Sequence, residues 1–177
     1  YIIIFITPFY LQQQLGLAPS SVGITMTAFP LTVLLVAPLS GTLSDKIGNR
    51  LLSSAGAIFC AWGALSLSLA GPDLTPSDVA WRLSLFGLGT GMFQSPTNSA
   101  IMGAVAKQRL GIAGGVLATT RNVGMVLGIA AGSLVLSAKE AVYLLACTPL
   151  ARLLAMQDAY FTAAVLSALC FAVCLFV

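Results

Sequence analysis

Six long apolar stretches, almost free of charged residues, limit what this chain can fold into. A helix needs about 20 mostly apolar residues to cross the hydrocarbon core of a bilayer, which is about 30 Å thick. Strands that span a membrane need a closed barrel and alternating polarity, and these stretches lack that alternation. The sequence therefore predicts an all-α integral membrane protein with six transmembrane helices. The stretches cover residues 1–15, 21–43, 51–70, 83–106, 112–138 and 159–177.

The composition excludes a soluble domain and several classes of function. Only 7% of the 177 residues are charged, whereas soluble domains carry roughly 25%. The basic residues form scattered short pairs and not the continuous stripe that binds a phosphate backbone, so nucleic acid is not an expected partner. The chain has no histidine, which is the commonest general base and metal ligand. We therefore predict no enzyme activity, no catalytic residue, no cofactor and no metal, and we assign Cys170 and Cys174 to packing rather than to a soft metal.

One segment fits the six-span pattern poorly. Residues 139–158 are apolar in places but are interrupted by Pro149 and Arg152, so they do not predict a seventh span. We expect an extension of the fifth helix followed by a piece that lies in the membrane interface.

Basic residues in the short connections favour one orientation only slightly. If the first span runs outward, the inner connections hold four basic residues and the outer ones three. The inner residues are Lys46, Arg50, Lys107 and Arg109, and the outer ones are Arg82, Lys139 and Arg152.

The connection between the second and third stretches carries a recognisable motif. The stretch reads Gly41-Thr42-Leu43-Ser44-Asp45-Lys46-Ile47-Gly48-Asn49-Arg50. It resembles motif A of the major facilitator superfamily, a cytoplasmic turn between the second and third helices of each half of such proteins. Ser44 and Asn49 depart from the family pattern, in which a small apolar residue and often Arg are usual. The matching residues are Gly41, Leu43, Asp45, Lys46, Gly48 and Arg50.

Each motif position has a physical reason. Gly41 lets two helices approach closely, and Gly48 permits a tight turn. Asp45 can lie at the positive N-terminal end of a neighbouring helix. The resemblance implies that this helix belongs to the opposite half, so that the turn acts as a latch between halves. The alternative is an ordinary Asp/Lys/Gly turn between two helices.

Two further stretches are similar to helices four and five in the C-terminal half of fourteen-span drug:proton antiporters. Residues 81–100 and 109–128 carry this likeness, although 118–124 lacks the first Asn and the Gln of the family's version. The resemblance implies that residues 1–177 form the C-terminal six-helix half of a major facilitator fold, that the N-terminal half is missing, and that the first span is cut short.

Polar side chains are unevenly distributed among the six stretches. The third and sixth contain no Asn, Gln or charge, whereas the fourth contains Gln94 and Asn98, one turn apart. Such side chains are costly in lipid and face a bundle interior or a watery cavity. The resemblance implies a cavity lined by the first, second, fourth and fifth helices. The candidate cavity or gating residues are Gln94, Asn98, Thr120, Arg121 and Asn122, with hydrogen bonding between helices as the alternative for the first two.

Glycines recur at a spacing of four residues on the fourth and fifth stretches, which places small faces on both helices. These faces are expected to serve close helix packing. The packing residues are Gly87, Gly91, Gly124, Gly128 and Gly132.

Arg121 is the only charged residue expected well inside a span, and its depth depends on where the fifth helix begins. A start at Gly111 puts it about 15 Å from the cytoplasmic end, and a start near Gly115 about 9 Å. The shallow position allows a snorkelling anchor. The deep one favours a structural or gating role, or coupling to substrate or protons.

The function expected from these features is transport by alternating access, with the resemblance implying proton-coupled efflux of drugs or other amphipathic molecules. The expected partners are a small-molecule substrate, protons, the lipid bilayer and the N-terminal half, and the expected location is a bacterial inner membrane. No Asp or Glu is expected inside a span, so the proton-carrying carboxylate is assigned to the other half. A non-transporting scaffold or accessory subunit is the alternative, and an intramembrane enzyme is disfavoured.

Overall fold

The computed structural model describes residues 1–145 and 150–176, with the side chains of Asp45, Leu175 and Phe176 outside the described part. Within these ranges all regular structure is helical, which confirms the all-α prediction. A 3-10 turn, Lys107–Arg109, precedes the fifth helix. The helices are α1 Ile2–Gln13, α2 Pro19–Ile47, α3 Asn49–Ser68, α4 Pro76–Gly103, α5 Leu110–Leu145 and α6 Ala151–Phe176.

Four segments in the described part are long and apolar enough to cross a membrane: Pro19–Ser44, Asn49–Ser68, Lys107–Leu145 and Ala151–Cys174. α1 is apolar but has only 12 residues. α4 has 28 residues, but its polar side chains lower its mean hydropathy. The chain is therefore a helical membrane protein, and the number of six spans remains a prediction.

The last helix begins earlier than the sequence predicted. α6 starts at Ala151, so residues 151–158 are helical and are not a separate interfacial piece. Their apolar side chains pack into the core, where Leu153 is 2% exposed and Met156 1%. This burial outweighs the interruption by Arg152, whose charge stays at the surface.

The helices extend beyond the predicted spans 112–138 and 159–177, and two acidic residues lie in these extensions. Glu140 lies near the end of α5 and Asp158 in the early part of α6, both outside the predicted spans. Each carboxylate is paired. Glu140 accepts from Arg152 at 2.7 Å, and Asp158 lies 3.1 Å from the Lys139 ammonium.

The connection between α2 and α3 is a single residue, Gly48, with φ +96°. The motif stretch is therefore mostly helical and not a loop, since α2 continues to Ile47 and α3 begins at Asn49. A side chain is strained at this φ, so glycine permits the abrupt reversal of direction.

α4 lies between α2 and α3, and glycines make both contacts close. A Cβ on Gly87 would lie 2.9 Å from the Phe29 carbonyl oxygen of α2. A Cβ on Gly89, on the other side, would lie 2.7 Å from the Gly56 carbonyl oxygen of α3. α3 also packs against α6, and α6 against α5.

α1 contributes several of the fully buried side chains of the core. Ile6 and Leu11 are fully buried, and they pack with residues of α3, α4 and α6. Polar atoms in this core are hydrogen-bonded: Tyr160 donates to Thr7 at 3.1 Å, and Tyr10 donates to the Gly71 carbonyl at 2.6 Å. The helices that approach α1 most closely are α5, α6 and α2.

Candidate functional site

The largest of the cavities described in the structure has a volume of about 600 Å³ and is lined by α1, α2, α4 and α5. None of its described lining residues comes from α3 or α6. This is the set of four helices that the resemblance implied.

α4 presents one continuous face to the cavity. Residues three or four apart lie on the same side of a helix, and the α4 lining follows this spacing. The α4 residues are Phe86, Thr90, Phe93, Gln94, Thr97 and Asn98. From α5 the lining residues Leu117, Thr120 and Arg121 follow the same rule.

Aromatic rings form the apolar wall of the cavity. The rings of Phe29 and Phe86 are stacked, with centroids 5.7 Å apart and planes inclined by 25°. Phe93 lies on the same α4 face as Phe86. Offset stacking of this kind presents flat apolar surface on which another planar ring can pack.

Both threonines on the α4 face donate their hydroxyl protons to backbone carbonyls of the same helix. Thr90 donates to the Phe86 carbonyl at 2.9 Å, and Thr97 donates to the Phe93 carbonyl at 2.7 Å. Their hydroxyl groups therefore offer a ligand mainly an acceptor oxygen.

Several other polar side chains line the cavity and have no hydrogen-bond or ion-pair partner among the described residues, among them Gln94, Asn98, Thr120 and Arg121. Arg121 supplies donors only, and the two amides supply both donors and acceptors. The described lining contains no Asp or Glu. The free polar groups are thus rich in donors and carry a positive charge.

The position of Arg121 along α5 puts it near the middle of the membrane. α5 begins at Leu110, so Arg121 lies about 16 Å along the helix, which matches the deeper of the two predicted positions. Arg109 and Lys139 are 30 residues apart, or about 45 Å, which is close to the full thickness of a bilayer with its headgroups. Arg121 lies between these two charged ends.

Asn122 is the one predicted cavity residue that does not line the cavity. It follows Arg121 directly, so it points about 100° away around the helix, and its side chain is exposed.

The predicted packing glycines of α4 lie against α2, whereas those of α5 differ in how closely α1 approaches them. Gly87 and Gly91 lie at the crossing with α2, where a Cβ on Gly91 would lie 3.1 Å from Val36. Gly132 faces Ile2 of α1, with 3.0 Å between an added Cβ and a side-chain carbon. Gly128 meets α1 at ordinary contact distance, and no described atom lies within 4 Å of a Cβ on Gly124.

The motif residues lie where α2 and α3 meet. A Cβ on Gly41 would lie 3.1 Å from the Ser95 hydroxyl of α4, so this glycine allows close contact. Lys46 and Arg50 are exposed. The side chain of Asp45 lies outside the described residues.

The sequence did not point to the aromatic wall or to Thr90 and Thr97. A signal was present, because Thr90 and Phe86 lie four and eight residues before Gln94 and so share its helix face. The contribution of Phe29 from α2 had no such signal, since it depends on which face of α2 meets α4.

Known proteins resemble this chain along most of its length. The riboflavin transporter RibZ of Clostridioides difficile is 40% identical over 126 residues, which are 71% of this chain and 28% of that protein. The uncharacterized transporter YebQ of Escherichia coli is 36% identical over 130 residues, or 73% of this chain and 28% of that protein. The multidrug resistance protein Stp of Mycobacterium tuberculosis is 31% identical over 138 residues, which are 78% of this chain and 26% of that protein. The chain therefore spans just over a quarter of the length of these relatives.

The family model of the Major Facilitator Superfamily matches residues 1–177, the whole chain. This match agrees with the helical membrane fold and with the motif between α2 and α3. The chain belongs to the Major Facilitator Superfamily.

Proposed function

We propose that this chain is the C-terminal six-helix half of a secondary transporter that exports amphipathic small molecules in exchange for protons across a bacterial inner membrane. The observation that carries the proposal is the cavity between α1, α2, α4 and α5, which is lined by both apolar and polar side chains. Transporters of this kind bind substrate near the bilayer midplane, between two bundles that rock about the site.

The exposure of the helices supports a second bundle facing α2 and α5. In the most apolar part of α2 only 11% of the residues are buried, and in that of α5 only 6%. The corresponding values are 50% in α3 and 39% in α6. We propose that the other half of the same polypeptide covers α2 and α5 and closes the cavity. In this arrangement Gly48 and the motif around Asp45 act as the latch between halves.

Proton coupling needs a group that can gain and lose a proton within the transport path. The described lining of the cavity has no carboxylate, and Glu140 and Asp158 are held in ion pairs with Arg152 and Lys139. We therefore assign the proton-carrying carboxylate to the other half, as expected from the sequence.

Transport in inverted membrane vesicles tests the proposal. Vesicles containing the full-length protein are given an inward-acid proton gradient and offered riboflavin and amphipathic dyes of both charge signs. We expect accumulation of at least one solute, which stops when a protonophore collapses the gradient. A scaffold or accessory subunit gives the same uptake as vesicles without the protein.

Cysteine labelling tests the cavity separately. In a full-length version without native cysteines, cysteines at Gln94 and Asn98 should react with a water-soluble maleimide, and a transported solute should slow the reaction. The matched controls are Leu169 and Val173 of α6, which are 58% and 61% exposed but line none of the described cavities. Cysteines there face lipid and should stay unreactive. Equal labelling of both pairs contradicts a watery cavity on one side of the bundle.

A further inference from the structure

The free polar groups of the cavity and its aromatic wall together indicate the chemistry of the solute. Resting on the proposed function, we infer that this cavity selects planar aromatic solutes that carry an anionic group and discriminates against aromatic cations of the same size. Arg121 selects for the anionic group of the solute, and Phe29 and Phe86 provide the surface on which its ring packs.

Arg121 is the central element because it is charged, lines the cavity and lacks an acidic partner in the described part of the chain. A guanidinium stays protonated at all physiological pH values and can hold a carboxylate or sulfonate by two parallel hydrogen bonds. The apolar walls of the cavity weaken the screening of charge by solvent, so an unpaired charge is costly there and an anion from the solute relieves that cost. A cationic solute meets repulsion there instead.

The neighbouring polar groups favour the same solute. Gln94 and Asn98 add amide N–H donors, and Thr120 adds a hydroxyl. None of these three has a partner among the described residues. The described lining contains no carboxylate that would attract a cation. With Arg121 as its charged group, the described lining therefore favours an anionic over a cationic polar end of the solute.

The aromatic wall selects the rest of the solute. Phe29 and Phe86 already stack with 5.7 Å between their centroids, and Phe93 extends the same face. A flat ring system can pack on this surface, and a stacked aromatic pair gains more than the buried area alone supplies. The volume of about 600 Å³ lies within the range of pockets that hold drug-sized molecules.

A matched set of three probes tests the inference: 1-pyrenebutyrate, 1-pyrenebutanol and the 1-pyrenebutyl-trimethylammonium ion. They share one ring system and differ in charge. Binding is measured by fluorescence titration of the folded full-length protein, and transport by uptake into inverted vesicles. We expect the wild type to bind the carboxylate at least tenfold more tightly than the ammonium, with the alcohol in between.

Variants connect the preference to Arg121. R121Q should weaken carboxylate binding at least tenfold while changing alcohol binding less than threefold, and R121K should restore part of the preference. R109Q is the matched control, because it removes the same charge just before α5, outside the cavity lining, and should leave the preference unchanged. If R121Q is not recovered folded, the wild-type ratio and R121K decide.

The outcomes separate this inference from the proposed function. Binding with the expected preference but no uptake of any probe contradicts transport and leaves the selectivity intact. Uptake of all three probes without preference, or an R121Q protein with the wild-type ratio, overturns the inference and leaves transport intact. An acidic residue from the other half that neutralises Arg121 would produce this second result.

Discussion

Arg152 at the start of α6 donates from Nε to Oε1 of Glu140 near the end of α5, at 2.7 Å. Its Nη1 also donates to the Gln13 side chain at the end of α1, at 3.0 Å. One guanidinium therefore joins three helices at the same end of the bundle. The side chains of Arg152 and Glu140 are 50% and 23% exposed, so solvent screens the pair.

The first prediction concerns the energy of this pair. Exposed ion pairs contribute about 0 to 1 kcal/mol, so R152M and E140Q should each lower thermal stability only slightly. A double-mutant cycle measured by thermal unfolding of the purified full-length protein should give a coupling energy below about 1 kcal/mol. A coupling energy near 3 kcal/mol would mean that the pair is buried in the complete protein.

The second prediction concerns the contact between α3 and α4. G89A places a methyl group against the backbone of α3, 2.7 Å from the Gly56 carbonyl oxygen, where no flexible side chain can move away. Overpacking of this kind typically lowers the free energy of unfolding by about 1 to 3 kcal/mol. We therefore expect G89A to unfold at a lower temperature than the wild type. The control is G23A on α2, where no described atom lies within 4 Å of the new Cβ. It should leave stability unchanged or raise it by up to about 1 kcal/mol. Equal effects of the two variants would contradict a close α3–α4 crossing.

The third prediction concerns the one-residue connection between α2 and α3. Gly48 has φ +96° and ψ 144°, a region that is essentially restricted to glycine. G48A and G48N should therefore both destabilise the protein, by about 1 to 3 kcal/mol. Asparagine should not rescue, because the left-handed helical conformation it tolerates has a much smaller ψ. Thermal unfolding measures the effect, with N49A as the neighbouring control. Full stability of G48N would show that the connection adopts another conformation.

The fourth prediction concerns the start of α4, where Thr75 and Asp78 form a capping box ahead of the membrane-embedded part. Asp78 accepts from the Thr75 hydroxyl at 2.6 Å and from the Thr75 N–H at 2.9 Å, and these bonds lower the pKa of Asp78 below its ordinary value. Hydrogen bonds of this kind favour the charged carboxylate.

The sign of the pH effect follows from that shift. The contribution of Asp78 to stability is fully present above its ordinary pKa and is lost as the pH falls through the lowered value. The unfolding temperature of the wild type, relative to D78N, should therefore be higher at pH 6 than at pH 3. T75V should reduce the same difference, since it removes one of the two donors. Parallel pH profiles of wild type and D78N would contradict the capping box.

Much of the helical framework could be predicted from the sequence because a membrane leaves the backbone few choices. Carbonyl and N–H groups that cannot reach water must pair within their own segment, so long apolar stretches become helices. The placement of Gln94 and Asn98 on one face of α4 also followed from local spacing alone. Where local pattern and burial disagreed, the prediction was wrong: the polar interruption at Arg152 suggested a late start for α6, whereas Leu153 and Met156 belong to the core.

The sequence by itself determined that the chain enters a membrane as helices, where its polar residues lie along them and that glycines mark their close contacts. Only the tertiary structure decided which faces meet. Phe29 of α2 joins Phe86 of α4 in the cavity wall, Arg121 of α5 lines the cavity that also holds Gln94, and Asn122 does not. The physical reason is that helical periodicity defines the faces of one helix, whereas the pairing of faces depends on how side chains from distant parts of the chain fit together.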